Sequence, residues 1–207
     1  MILRSYARHI STEASIATVI EDIKQNNERT MDPKTFDDYM EALKDLYIIE
    51  DIHAWNPNIR SKTSIRSTPT RHFVDTSIAC RALNLSPADL LGDLNTFGLF
   101  FEDMAVRDLS VYASVLGGDV KHYRDNAGLE CDAIIRLDDG RWGAIEIKLG
   151  GEDNIEAGAS SLKTLQRKIT EKSEERPPSF LMVLTAVGGA YRRSDGVLVA
   201  PINLLKP

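Results

Sequence analysis

Cysteines and long apolar runs are scarce in this sequence. Its 207 residues include only two cysteines, Cys80 and Cys131, which are too few for a disulfide framework or a cysteine-rich metal cluster. No apolar run approaches the roughly 20 residues that cross a bilayer. The opening residues, MILRSYARHIS, contain neither the long apolar stretch nor the small-residue cleavage site of a secretion signal. We therefore expect a protein that has no membrane span and works in a reducing cytoplasm.

Basic residues are also fewer than acidic residues. The chain has 25 Lys and Arg against 31 Asp and Glu, which gives a formal net charge of −6. Proteins that coat nucleic acid through bulk electrostatics need an excess of Lys and Arg, so the composition disfavours that class. A local basic patch or a metal site built from carboxylates remains compatible with it. The 43% hydrophobic and 27% charged residues are ordinary for a globular protein of one large domain or two small ones.

Helices followed by a small sheet are predicted over residues 1–85. Ser11 is placed to cap a first helix with an apolar stripe, and Asp32 followed by proline marks the start of a second helix over residues 33–47. The strand-like segments YIIEDIHAW and RHFVD then flank the basic stretch IRSKTSIRS. This order of elements predicts a winged-helix-like domain whose wing lies near residues 60–66.

The charges of this domain leave two uses open. In DNA-binding winged helices the second helix enters a groove and the wing contacts phosphate. The basic residues of the predicted ribbon are Arg60, Lys62, Arg66 and Arg71, and the acids along the predicted second helix are Asp37, Asp38, Glu41 and Asp45. The acids favour a winged helix used for packing or protein contact, and they predict poor DNA affinity for this domain alone.

A second domain is predicted over residues 96–207. A long helix near residues 97–116 precedes three strand candidates, DVKHYRD, LECDAIIRL and RWGAIEIKL, which are joined by the hairpin-type turns NAG and DDG. A polar amphipathic helix then spans roughly residues 155–173. The apolar strand FLMVLTA and the short strand GVLVAPI follow it. The prediction is an α/β domain with the order helix, antiparallel meander over residues 119–149, helix, strand.

Three residues of the meander are candidates for a functional site. Asp132 lies mid-strand, where packing would favour an apolar residue, and Glu146 and Lys148 follow within AIEIKLGG. Residues two apart on a strand share a face, so Glu146 and Lys148 point together. They form either a solvated ion pair on an exposed strand or, with Asp132, part of a metal site, because two carboxylates can hold a hard divalent cation. Glu102 could supply a third acid if its helix packs across the sheet.

Asp132, Glu146 and Lys148, set in this order of helices and strands, resemble the motif of the PD-(D/E)XK nuclease superfamily. The resemblance implies a restriction-endonuclease-like αβββαβ core. It also implies that Asp132 and Glu146 hold Mg²⁺ or Mn²⁺ and that Lys148 assists phosphodiester cleavage. With Glu102 as the third acid, the candidate catalytic residues are Asp132, Glu146, Lys148 and Glu102, and the candidate metal ligands are Asp132, Glu146 and Glu102.

A narrower resemblance covers most of the chain. The segments FGLFFEDMAVRDL and HYRDNAGLECDAIIRLDDGRWGAIEIKLG are similar to an uncharacterised module, domain of unknown function 4143, found at the C-terminus of many prokaryotic AAA-type ATPases. Upstream, RHFVDTSIACRAL resembles the segment that joins the two halves of that module. The resemblance implies an AAA-type ATPase domain and DNA as partners. No G-x-x-x-x-G-K-[ST] loop occurs in this sequence, so we expect no ATP binding of that kind, and either a piece of a longer ATPase or a stand-alone descendant.

The sequence is therefore compatible with two functions. The first is a Mg²⁺-dependent nuclease, or a nuclease-derived nucleic-acid-binding module, that acts with an AAA-type ATPase. The intact set of Asp132, Glu146 and Lys148 favours this function. The second is a catalytically inert interaction or regulatory domain of such an ATPase, which the net charge of −6 and the acidic second helix favour.

Overall fold

The structure is a computed structural model, and it divides into two compact units. The residues it describes are 1–27, 30–57, 68–173 and 175–206. Of these, the residues up to 52 and from 68 to 107 form the first unit, and the residues from 53 to 57 and from 108 onward form the second unit. The predicted wing near residues 60–66 lies outside the described residues.

The first unit is mainly helical and contains an antiparallel strand pair. Its elements are α1 (Ile2–Arg8), α2 (Ile16–Asn27), α3 (Pro33–Asp45), β1 (Ile49–Ile52), β2 (Thr70–Phe73), α4 (Thr76–Leu83) and α5 (Pro87–Gly92). Helix α6 (Leu94–Val115) begins in the first unit and ends in the second. The register pairs Ile49 with Phe73 and Ile52 with Thr70, which confirms the two predicted strands.

Helix α3 begins where the sequence predicts. The Asp32 carboxylate accepts a hydrogen bond from Thr35 N at 3.0 Å, and Pro33 fills the first turn, where a missing N–H costs nothing. The acids predicted on this helix are all exposed, and they are Asp37, Asp38, Glu41 and Asp45. This surface of the first unit is therefore negatively charged.

The predicted cap of α2 is wrong. Helix α2 begins at Ile16, and Ser15 Oγ accepts the hydrogen bond from Thr18 N at 3.1 Å. Ser11 has a φ of 55° and its hydroxyl donates to Leu99 O at 2.9 Å. Ser11 thus makes a long-range contact within the first unit, and the local capping contact belongs to Ser15.

A buried carboxylate connects three elements of the first unit. Asp103, on α6, has no exposed surface. It accepts hydrogen bonds from Phe73 N at 2.8 Å and Thr76 Oγ1 at 2.5 Å, and its Oδ1 lies 3.2 Å from His72 Nδ1. Because an unpaired buried carboxylate is costly, these contacts fix α6 against β2 and the start of α4. Asp103 is not among the candidate residues predicted from the sequence.

A mixed sheet forms the second unit. Its strands are β3 (Gly118–Arg124), β4 (Glu130–Leu137), β5 (Trp142–Lys148), β6 (Phe180–Thr185), β7 (Tyr191–Arg192) and β8 (Leu198–Pro201), in the spatial order β3-β4-β5-β6-β8-β7. The first three strands are antiparallel neighbours, which confirms the predicted meander. Strand β6 runs parallel to both β5 and β8, and the crossover from β5 to β6 contains α7 (Glu152–Lys172). The predicted order of elements and the mixed α/β class are confirmed.

Helix α7 covers one face of this sheet. Trp142 and Ala144 of β5 share a buried apolar cluster with Leu162 and Leu165 of α7. Between them, Gly143 leaves room for a neighbouring ring, because a Cβ there would lie only 2.3 Å from the ring of Phe180. Because side chains alternate along a strand, Trp142, Ala144, Glu146 and Lys148 of β5 all point to the face that α7 covers.

Cys80 and Cys131 are both free thiols, one in each unit. Among the helices in the described part of the chain, none is long and apolar enough to cross a membrane.

Candidate active site

The strand register brings the predicted residues of the meander to one place. In the pairing of β4 with β5, Ala133 lies opposite Ile145, so the next positions along this ladder are Asp132 and Glu146. Glu146 and Lys148 are two apart on β5 and share a face. Three functional side chains are thus expected to meet where β5 ends.

Strand β4 contains one extra residue beside Asp132. In the pairing with β3, Lys121 lies opposite Ile134 and Tyr123 lies opposite Cys131. These partners are two residues apart in β3 and three apart in β4, which is the signature of a β-bulge at Asp132 and Ala133. Bulges redirect side chains and are frequent next to active sites.

Asp132, Glu146 and Lys148 form what we call the carboxylate–lysine cluster. Lys148 Nζ lies 2.7 Å from Glu146 Oε2 and 3.1 Å from Asp132 Oδ2, so one ammonium group bridges two carboxylates. Asp132 Oδ2 also accepts a hydrogen bond from Ile147 N at 2.7 Å. The structure therefore brings together three of the four residues predicted for the site. Their catalytic and metal-binding roles stay predictions.

The cluster is largely shielded from solvent. Glu146 is 5% exposed, and the side chains of Asp132 and Lys148 are 16% and 30% exposed. A solvated ion pair of the kind considered for Glu146 and Lys148 does occur in the same sheet. It joins Asp119 and Lys121 on β3, with a 3.1 Å contact and side chains 57% and 31% exposed. The carboxylate–lysine cluster differs from that pair because its central carboxylate is buried.

Helix α7 closes over Glu146. Ser161 Oγ donates to Glu146 Oε1 at 3.2 Å. One turn earlier, a Cβ at Gly158 would come within 3.3 Å of both Glu146 Cβ and Val183 Cγ2, so glycine permits the close approach of helix and sheet. Sequence reasoning missed Ser161. The available signal was the run of small residues AGASS within α7, which indicates close packing of that helix.

The electrostatics of the cluster follow from burial and from two neighbouring carboxylates. Burial, followed by the Asp132 charge, raises the pKa of Glu146 to about 7, although Lys148 and Ser161 act in the opposite direction. Burial alone would lower the pKa of Lys148, but the charges of Asp132 and Glu146 outweigh it and raise that pKa. Burial and the same carboxylates raise the pKa of the neighbouring Cys131 thiol well above its usual value. The cluster therefore favours additional positive charge.

Glu102 belongs to a different unit from these three residues. It is a half-buried residue of α6 within the first unit, whereas the carboxylate–lysine cluster belongs to the second unit. Within residues 1–27, 30–57, 68–173 and 175–206, no group of three or more His, Cys, Asp or Glu side chains is arranged to hold a metal ion. The role of Glu102 as a third ligand stays a prediction.

The residues of the cluster nevertheless fit a Mg²⁺ ion. Mg²⁺ prefers oxygen ligands, keeps several waters and is often held by only one or two carboxylates. Asp132 and Glu146 supply two carboxylates, and the position of Lys148 Nζ within 3.1 Å of both shows that one positive charge can be shared between them. The ammonium group thus stands in for a cation at this point.

Comparison with known families finds a match for the C-terminal part of the chain. A model described as a domain of unknown function, DUF4143, matches residues 97–205, which is more than half of the chain. The chain belongs to the DUF4143 family. The match covers most of α6, the six-stranded sheet and α7, and it therefore includes every residue of the carboxylate–lysine cluster of this DUF4143 protein.

The N-terminal part matches a different family model. A domain of unknown function, DUF8612, matches residues 1–89, which include α1 to α4 and the β1–β2 pair. No curated protein matches the chain. The narrower resemblance drawn from the sequence is therefore confirmed for the DUF4143 part.

Proposed function

We propose that the second unit is a Mg²⁺-dependent phosphodiesterase that cleaves nucleic acid and has a restriction-endonuclease-like core. The observation that carries the proposal is the bridging position of Lys148 Nζ between Asp132 and Glu146, at the buried end of β5. A lysine and two carboxylates in this arrangement would supply two oxygen ligands for a cation and a positive charge beside them. The element order α6, β3 to β5, α7 and β6 is compatible with the same proposal.

Each residue of the cluster has a distinct role in this proposal. Asp132 and Glu146 would hold Mg²⁺, which when bound polarises a phosphate oxygen and lowers the pKa of a bound water. Lys148 would release the carboxylate oxygens that the cation needs and place its ammonium group against the negative charge that develops on the phosphate. Ser161 would keep the Glu146 carboxylate in position through its hydrogen bond.

A groove along α7 has basic side chains that would contact a nucleic-acid backbone in this proposal. Its volume is about 630 Å³, and its lining includes two basic residues, Lys163 and Arg167, one acid, Glu171, and Ser160. Lys and Arg are the side chains that neutralise phosphates and release counterions. Ser160 is adjacent in the chain to Ser161, which contacts Glu146, so the groove and the carboxylate–lysine cluster use the same helix.

For the first unit we propose a winged-helix-like domain that contacts protein. The order α2, α3, β1, β2 supports this shape, and the acids exposed on α3 disfavour contact with DNA. Large apolar side chains are also exposed on α3 and just after it: Tyr39 within the helix is 53% exposed, and Leu46 and Tyr47, which follow the helix, are 68% and 79% exposed. Such side chains are typical of protein-contact surfaces. The partner we propose is an AAA-type ATPase domain.

These exposed side chains also favour a second candidate function for the whole chain. In that alternative the chain is a catalytically inert interaction or regulatory domain of an AAA-type ATPase. The net charge of −6 favours it as well, because a negative surface repels nucleic acid.

A cleavage assay tests the proposed function. The purified chain would be incubated with labelled single-stranded DNA, duplex DNA and RNA, in Mg²⁺, Mn²⁺ or a chelator. We expect cleavage of at least one substrate by the wild type in the presence of metal. Asp132→Asn should abolish cleavage because it removes a ligand charge, and Lys148→Ala should abolish it because the phosphate charge is no longer stabilised.

The matched control is Asp119→Asn, which alters the exposed ion pair of β3 in the same sheet. This variant should cleave like the wild type. Equal cleavage by Asp132→Asn would contradict the proposal, since the activity would not depend on the site. Absence of cleavage of every substrate in both metals would favour the inert alternative.

A further inference from the structure

Thr185 is the last residue of β6 and lies beside the carboxylate–lysine cluster. In the parallel pairing of β5 with β6, Glu146 lies opposite Val183 and Lys148 lies opposite Thr185. The close approach of Gly158 to both Glu146 and Val183 shows that these two side chains face α7. Two positions further along each strand, Lys148 and Thr185 therefore lie side by side on the same face.

The hydroxyl of Thr185 is buried without a partner. Thr185 is 1% exposed, and within the described part of the chain its Oγ1 has no hydrogen-bond partner. Buried polar groups are nearly always paired, because leaving one unpaired costs free energy. The position of this hydroxyl is informative, since ligands of open α/β sheets bind outside the carboxyl ends of parallel strands. An unpaired hydroxyl at such an edge is suited to a ligand.

We propose that Thr185 is a further residue of this site and that its hydroxyl donates a hydrogen bond to an oxygen atom bound to the metal. That oxygen belongs either to a water of the cation or to the phosphate of the substrate. The inference rests on the proposed function. In the structure, Lys148 Nζ contacts the carboxylate oxygens of Asp132 and Glu146 that would bind a cation. When the lysine gives up those oxygens, it moves away from its present position next to Thr185 on the neighbouring strand.

Two substitutions separate the hydroxyl from the shape of the side chain. Thr185→Val keeps the shape and removes the hydroxyl, and Thr185→Ser keeps the hydroxyl. The measurement is the melting temperature of the second unit, followed by tryptophan fluorescence during titration with Mg²⁺, with and without inorganic phosphate. The two tryptophans of the chain, Trp55 and Trp142, are both buried in this unit.

Without metal, Thr185→Val should melt several degrees above the wild type, because an unpaired buried hydroxyl has been removed. Mg²⁺ should raise the melting temperature of both proteins. The Mg²⁺ concentration that gives half of this rise should be about tenfold higher for Thr185→Val than for the wild type, which corresponds to the loss of one hydrogen bond. Thr185→Ser should respond to Mg²⁺ like the wild type. A weaker response to Mg²⁺ alone would assign the hydroxyl to a metal-bound water, and a weaker response only with phosphate would assign it to a phosphate oxygen.

Ser110→Ala is the matched control. Ser110 lies on α6 within the second unit, and its buried Oγ also lacks a partner among the described residues. Its removal should raise the melting temperature and leave the Mg²⁺ response unchanged. If Thr185→Val keeps the wild-type response with and without phosphate, the role of Thr185 is refuted and the proposed function survives. If the wild type itself shows no response to Mg²⁺, both fail.

Discussion

Replacing Glu146 with Gln is expected to change how the stability of the second unit depends on pH. Burial, followed by the nearby Asp132 charge, raises the pKa of Glu146 from 4.5 to about 7. In the unfolded chain the same carboxyl ionises at its ordinary pKa. The folded chain therefore binds this proton more tightly. The stability that the proton contributes is complete below pH 4.5 and is lost as the pH rises towards about 7.

The magnitude follows from the size of the shift. One pKa unit corresponds to about 1.4 kcal/mol, so ionising Glu146 inside the fold costs about 3 kcal/mol once the pH exceeds its folded pKa. Gln has nearly the same shape as Glu and does not ionise. The free energy of unfolding of Glu146→Gln, minus that of the wild type, should be near zero at about pH 4.5 and should rise to about 3 kcal/mol by about pH 8.

Urea denaturation followed by tryptophan fluorescence measures this difference in the relevant unit. Trp55 and Trp142 are the two tryptophans of the chain, and their rings lie 4.7 Å apart in the core of the second unit. Their emission therefore reports the unfolding of the unit that contains Glu146. Curves recorded at several pH values give the dependence directly.

Asp125→Asn is a control of opposite sign in the same unit. Burial alone would raise the pKa of Asp125, but hydrogen bonds from Lys168 and from backbone N–H groups lower it. Its contribution is present above its unfolded pKa and is lost only at lower pH, so this variant should differ from the wild type by a constant amount above about pH 4.5. If Glu146→Gln also gives a constant difference, Glu146 ionises as it would in solvent, and the reasoning about a buried cluster is refuted.

Three further predictions concern the rest of the chain. Asp103→Ala should lower the free energy of unfolding by about 3 kcal/mol or more, because Phe73 N, Thr76 and His72 lose their partner. A loss below about 1 kcal/mol by circular dichroism would contradict this. Gly143→Ala should cost about 1–3 kcal/mol, since the new methyl group meets the ring of Phe180. Adding Phe180→Leu should recover part of the loss in urea denaturation, and no recovery would argue against the clash. Residues 1–85 should bind duplex DNA weakly because α3 exposes acids, and tight, strongly salt-dependent binding in fluorescence anisotropy would argue otherwise.

Elements specified by local pattern could be predicted from the sequence. The meander follows from alternating apolar residues and short hairpin turns, and the start of α3 follows from Asp32 and Pro33, which act within one turn. The convergence of Asp132, Glu146 and Lys148 could be anticipated because neighbouring hairpin strands place these positions together. In each case the residues that determine the structure are close in the chain.

Features that depend on long-range packing could not be predicted. Ser11 looked like a helix cap, but its hydroxyl bonds to Leu99 O, which lies 88 residues away in the chain. The extra residue of β4 and the burial of Glu146 under α7 both depend on how complete helices and strands pack against one another. Thr185 reads as the end of an apolar strand, and its unpaired hydroxyl becomes visible only in the assembled sheet.

The most direct test of whether Asp132 and Glu146 hold a divalent cation is a measurement of Mn²⁺ binding. Free Mn²⁺ gives an electron paramagnetic resonance signal, which is lost when the ion binds to the protein. The wild type should bind the ion. Lys148→Ala should bind it at least as tightly, because the competing ammonium group is gone. Asp132→Ala should lose the binding, and Asp119→Ala should keep it. A wild type that leaves all Mn²⁺ free at millimolar concentration, or an Asp132→Ala variant that binds like the wild type, would contradict the account.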